Sequence, residues 1–177
     1  MNRKPYLCGF QKCGLNSIIK WYSDQGITDI HTTEDITSTN CIPTFLPFKD
    51  THFPVVIIRN KVDAIWSIYW FFGYHKSHTL KEFLNIDEPS IQYGNNNPIN
   101  RVDYSYHLKK FEGITDVQVY ELEKMIDFPK KNTTKDMFEQ YPDLQGYRKY
   151  SPDEKLIIEK AIDSYDRNNL KYKVRLI

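Results

Sequence analysis

The chain has 177 residues and a formal net charge of +1, with 24 Lys and Arg against 23 Asp and Glu. That length suits a single domain over residues 1–177 whose core needs no covalent staples, and 13 Tyr with 10 Phe exclude a disordered chain. The near-balance of charge excludes a protein that coats nucleic acid, so any anion site must be local.

The three cysteines, Cys8, Cys13 and Cys41, form no C-x-x-C and no zinc spacing. They read as buried or idle thiols in a reducing compartment, with no metal. His75 and His78 share an i, i+3 spacing but have no third ligand, and His52 reads as a loop residue. No apolar stretch reaches the roughly 20 residues of a membrane span, and Met1–Lys4 lacks a signal-peptide core. A cytoplasmic protein is expected.

In chain order, Tyr6–Phe10 is a short apolar run that predicts a buried first strand. Leu15–Gln25 predicts a helix with Ile18, Ile19 and Tyr22 on one face and Gly26 as its stop. Ile27–His31 follows as a second strand, before a Thr/Ser-rich loop. Pro54–Arg59 is continuous and β-branched, which places it in the middle of a parallel sheet. Val62–Tyr74 predicts a helix with Val62, Ile65, Trp66 and Tyr69 at core spacing; its rings, Trp70, Phe71, Phe72 and Tyr74 included, are mainly core, with one or two of them available to face adenine or a sugar. Arg101–Glu112 predicts a further helix, in which His107 is structural or faces an acceptor, and Val117–Glu121 predicts a strand. The last helix starts at Ser151, Pro152 and Glu154, with Ile158, Ala161, Ile162 and Tyr165 inward. Strands alternating with helices imply an α/β fold: a three-layer, P-loop-like arrangement with a central, mainly parallel sheet flanked by helices.

Two segments carry chemistry. Gly9-Phe10-Gln11-Lys12-Cys13-Gly14-Leu15-Asn16-Ser17 joins a strand to a helix start through a turn with two glycines. Unpaired N–H groups and the helix dipole favour an anion there. Gln11, Lys12, Cys13, Gly14, Leu15, Asn16 and Ser17 are the candidate ligands, Lys12 adding a cation and Asn16 and Ser17 adding side-chain donors. A nucleoside-kinase P-loop is disfavoured, because its lysine follows the last glycine and Lys12 precedes Gly14. In the second segment, Arg59 leaves the carboxyl end of the central strand, where open α/β sheets bind ligands, and Ser67 lies two turns into the next helix. An arginine fork and a hydroxyl suit a phosphate monoester.

Taken together, G-x-x-K-x-G followed by R-x-x-x-D-x-x-x-S-x-Y resembles the family of sulfotransferases that use 3′-phosphoadenosine 5′-phosphosulfate (PAPS). Asp103–Phe111 is similar to the Y-x-x-H-L-x-x-W segment of its heparan-sulfate branch, and Gly146-Tyr147-Arg148-Lys149 to that branch's late glycine/basic loop. The resemblance implies that Lys12 stabilises the leaving group, that Arg59 and Ser67 hold the 3′-phosphate, and that Gly146, Tyr147 and Arg148 close over the nucleotide. It implies PAPS as sulfuryl donor, no metal, and a carbohydrate acceptor ahead of a small phenol or alcohol. The chain departs from the family in having Gln11, Leu15 and Asn16 where the family has Pro and Thr-Thr, so Leu15 offers only its backbone N–H. The acceptor must lose a proton. Glu34 lies beyond Lys12 at a separation similar to that of the branch's base glutamate, and His31 suits the role because its ordinary pKa, about 6.5, lies near neutrality. A non-catalytic adenine-nucleotide-binding module of the same fold is the alternative from a different class.

Overall fold

The computed structural model describes residues 3–10, 12–27, 31–33, 51–86, 97–114, 116–124 and 148–173. Its frame is a sheet of four parallel strands in the order β2-β1-β3-β4. These are β1 (Lys4–Gly9), β2 (His31–Thr33), β3 (His52–Ile58) and β4 (Gln118–Glu121). In β1 and β3 all but the first or last residues are buried or nearly so, as expected of inner parallel strands. Cys8 lies opposite both Thr33 and Val56, and Val56 opposite Val119.

Alternation along the strands divides the core between the two faces. Leu7, Val55 and Ile57 pack with Ile18 and Tyr22 of α1 (Leu15–Asp24). Tyr6, Cys8 and Val56 belong to a larger cluster with Ile65, Trp66 and Tyr69 of α2 (Lys61–Phe71), Phe83 of α3 (Leu80–Leu84), Tyr104 of α4 (Tyr104–Leu108) and Ile158 of α5 (Pro152–Lys173). The chain is therefore α/β with an open parallel sheet and helices against it. No helix among the described residues is long and apolar enough to cross a membrane.

The elements expected from the sequence recur with shifted ends and two corrections. The helix expected over residues 101–112 is three short pieces: a 3-10 turn at Asn100–Val102, then α4, then a second 3-10 turn at Lys109–Phe111. Asp103 divides them, because its carboxylate accepts from Tyr106 N at 3.2 Å and caps α4 instead of continuing a helix. His52 is not a loop residue. It opens β3, is 8% exposed, and shares a 2.8 Å hydrogen bond with Thr51 Oγ1. β3 starts two residues before Pro54, which the ladder accommodates because β4 pairs only from Val55 onward. His107 is buried, with Nε2 2.9 Å from Asn100 O. The short helix α3 had no counterpart in the sequence reading, although Thr79 and Glu82 form a reciprocal capping box at its start.

At the head of α5 the expected cap forms: Glu154 N donates to Ser151 Oγ at 3.3 Å and Ser151 N to Glu154 Oε2 at 2.7 Å. Ile158 and Ile162 face the core, with Ala161 and Tyr165 beside it. Because Ile158 is fully buried, Ile158→Ala is expected to lower the unfolding free energy by about 2–5 kcal/mol in urea denaturation. A loss well under about 1 kcal/mol would contradict this packing of α5.

Candidate functional site

Because the sheet is parallel, the carboxyl ends of β1, β3 and β4 lie along one edge. Each leads at once into a residue that could act on a ligand. After β1, Cys13 N bonds Phe10 O at 3.2 Å and closes a turn in which Lys12 has φ 59°. A left-handed conformation is uncommon for a residue with a side chain and persists where the surroundings enforce it. Gly14 follows with φ 91° and opens α1 without any side-chain cap. Ser17 N and Ile18 N both donate to Gly14 O, at 3.0 and 3.2 Å, so only the N–H groups ahead of Ser17 are left without an intrahelical acceptor, at the end of the helix that favours an anion. Leu15 and Ser17 are half-buried there.

After β3, Arg59 sends Nη1 back to Lys12 O at 3.1 Å. The turn that carries Lys12 and the Arg59 side chain, named from separate motifs, therefore meet in one crease. Asn60 then caps α2, its Oδ1 accepting from Val62 N and Asp63 N at 2.9 and 3.3 Å. After β4, Leu122 packs against Gly14, where an added Cβ would lie 3.0 Å from Leu122 Cδ1. Next to it, Glu123 Oε1 accepts from Asn60 N at 2.8 Å.

The Lys12 side chain reaches the last residue of α2, its Nζ lying 3.2 Å from the centre of the Phe71 ring. Burial, and then the Arg59 guanidinium, pull the Lys12 pKa from 10.5 down to about 8. Ser67 is half-buried and sits four residues from both Asp63 and Phe71, so the three form one stripe on α2. Tyr150 OH donates to Asp63 Oδ1 at 2.9 Å at one end of that stripe, and Lys12 covers the other. Beneath the turn, Cys13 Sγ lies 3.3 Å from Tyr104 OH, and burial pushes its pKa up to about 11, which makes it an inert thiol. Tyr104, also buried, is shifted upward as well.

The third basic residue, Arg148, is held differently. Its carbonyl accepts from Trp66 Nε1 at 2.8 Å, and its guanidinium lies 5.4 Å from the Trp66 ring. That guanidinium makes two bonds to Glu154, of 2.7 and 2.5 Å. The pairing with Arg148 holds the Glu154 carboxyl down at about 2. Arg148 is thus docked on α2 with its charge engaged at the head of α5.

Of the residues named from the sequence, Lys12, Cys13, Gly14, Leu15, Ser17, Arg59 and Ser67 stand along this edge and the α2 face beside it. Gln11, Glu34, Gly146 and Tyr147 lie outside the described residues, and Asn16 and His31 are described in backbone only, the latter at the start of β2. Sequence reasoning missed Glu123 and Phe71. The position of Glu123 just past a strand was the available signal. Phe71 belonged to an aromatic cluster read as mainly core, with one or two rings left to face adenine or a sugar, and contact with Lys12 was not foreseen. His75 stacks on Trp70 at 4.0 Å, and Tyr69 OH donates to His78 O at 2.8 Å. Among the described residues no group of three His, Cys, Asp or Glu is placed to hold a metal ion. No protein-family model matches the chain, and no curated protein matches it significantly.

The lowered Lys12 pKa has a consequence for stability. The folded chain releases this proton near pH 8, whereas an unperturbed lysine keeps it to 10.5. Between those values the unfolded state binds more protons, so this group makes stability rise with pH. Wild type is expected to gain stability relative to Lys12→Met as pH rises through that window in urea titrations. A flat or falling difference would contradict the buried, Arg59-facing position.

Proposed function

We propose that the chain is a PAPS-dependent sulfotransferase that transfers the sulfuryl group to a hydroxyl or amine, with carbohydrate acceptors ahead of phenols and alcohols. The observation that carries this reading is the bond from Arg59 to the carbonyl of Lys12, which brings both motifs into one crease. A carrier with phosphate groups at both ends of an adenosine needs two such cations on one surface. The uncapped start of α1 supports a site for the 5′-phosphosulfate, and Arg59 with Ser67 supports a site for the 3′-phosphate. Helices against a parallel sheet, with the turns after β1 and β3 at its carboxyl edge, support the three-layer, P-loop-like fold of that family, and the proposed enzyme is a single cytoplasmic domain.

In the proposed reaction the acceptor oxygen or nitrogen forms a bond to sulfur while the bond from sulfur to the 5′-phosphate oxygen breaks. Lys12 neutralises the charge that develops on that oxygen. The acceptor's proton passes to a base, for which Glu34 and His31 are the proposed groups. Gly146 and Tyr147 are proposed to close over the nucleotide, with Arg148 freed from Glu154 to join them. Two observations favour a second reading, a nucleotide-binding module without turnover. Arg148 is already neutralised by Glu154, and Leu15 brings no hydroxyl to the first loop.

Calorimetry with adenosine 3′,5′-bisphosphate and transfer assays with PAPS on an acceptor panel separate the readings. Wild type is expected to bind the bisphosphate, and Arg59→Ala to bind it about 10–100-fold more weakly, as loss of a hydrogen bond between charged groups implies. Lys12→Ala is expected to abolish transfer. Binding without transfer across the panel would select the module, full activity of Lys12→Ala would overturn the chemistry, and no binding by wild type would defeat both readings.

A further inference from the structure

Lys12 is subject to opposing influences. Burial and the Arg59 guanidinium favour its neutral amine. Against them stands the face of the Phe71 ring, 3.2 Å from Nζ at its centre, which attracts a cation through its quadrupole. The position of Phe71 adds a second attraction. It is the last residue of α2, a helix with no basic residue in its final turn, and a helix C-terminus favours positive charge. Lys12 therefore supplies, from another element, the cation that this helix end lacks. The turn is built for that reach: Lys12 is left-handed, and Arg59 holds its carbonyl.

We propose that Phe71 is the positioning residue for Lys12, holding the ammonium group at the C-terminal end of α2, from where an entering anion draws it into the crease. Phe71 shares a stripe of α2 with Ser67 and Asp63, with Lys12 at the Phe71 end and the Tyr150 bond to Asp63 at the other. The charged and titratable groups around the crease come from several elements. Arg59 follows β3, and Glu123 follows β4, where it bonds Asn60 N. Asp63 lies on α2 itself and Tyr150 before α5, while Arg148 sits over Trp66 and pairs with Glu154. Cys13 and Tyr104 stay neutral at neutral pH, since burial raises both. The inference rests on the sulfotransferase reading for the identity of the anion, whereas the holding of Lys12 is a property of the unliganded protein.

The test is carbon-detected NMR of the full chain with lysine labelled at Cε, the Lys12 signal being assigned by its loss in Lys12→Arg. In wild type this signal is expected to be shifted upfield by the Phe71 ring and to titrate near pH 8. Phe71→Leu is expected to lose the upfield shift and to titrate about half a unit lower, a roughly threefold loss of proton affinity. Phe71→Trp is expected to keep both features. Titration of Phe71→Leu at or above the wild-type value would overturn the proposal. Should that variant fail to fold, absence of the upfield shift from wild type or from Phe71→Trp would overturn it equally, and its presence in both would support it. Failure of wild type to bind adenosine 3′,5′-bisphosphate would defeat the sulfotransferase reading while leaving this result standing.

Discussion

The 3.1 Å bond from Arg59 to the carbonyl of Lys12 joins the turn after β1 to the end of β3. Two elements 47 residues apart in the chain thereby become one surface. It works because β1 and β3 are parallel neighbours in register from Lys4 opposite His52 to Gly9 opposite Ile57. Strands paired that way must deliver their following residues to the same edge. The left-handed Lys12 and the uncapped Gly14 are the local consequences. Leu122, after β4, closes the other side of the turn against Gly14.

Charge in this region is distributed with restraint. The Arg59 guanidinium disfavours the charged form of Lys12, and Glu123 accepts from Asn60 N nearby. Arg148 adds no free charge while it holds Glu154, and Glu154 in turn serves the cap of α5. This double use makes Glu154 a link between the α5 cap and the segment docked on Trp66.

Much of the frame could be read from residue pattern. Val55–Ile58 announces an inner strand because β-branched residues facing both ways have no other stable location, and Ser151 with Glu154 announces a helix start through capping geometry. Lys12, Gly14 and Arg59 stand out in the sequence because they are residue types suited to anion chemistry next to strand ends, and the fold brings the turn of the first two against the third. Local pattern failed where tertiary contacts decide. Asp103 splits one amphipathic run into short turns by capping α4, and the five-residue α3 is too short to show a period. Glu123 joins the site only because β4 lies beside β3. Phe71 differs from its aromatic neighbours only in being the ring that Lys12 reaches, which no spacing rule encodes.

The most direct measurement of the central claim is a crystal structure of the chain with adenosine 3′,5′-bisphosphate. One phosphate is expected at the start of α1 within reach of Lys12, and the other on Arg59 and Ser67, with adenosine spanning the crease between them. A bisphosphate bound elsewhere, or with neither phosphate touching Lys12 or Arg59, would contradict the account.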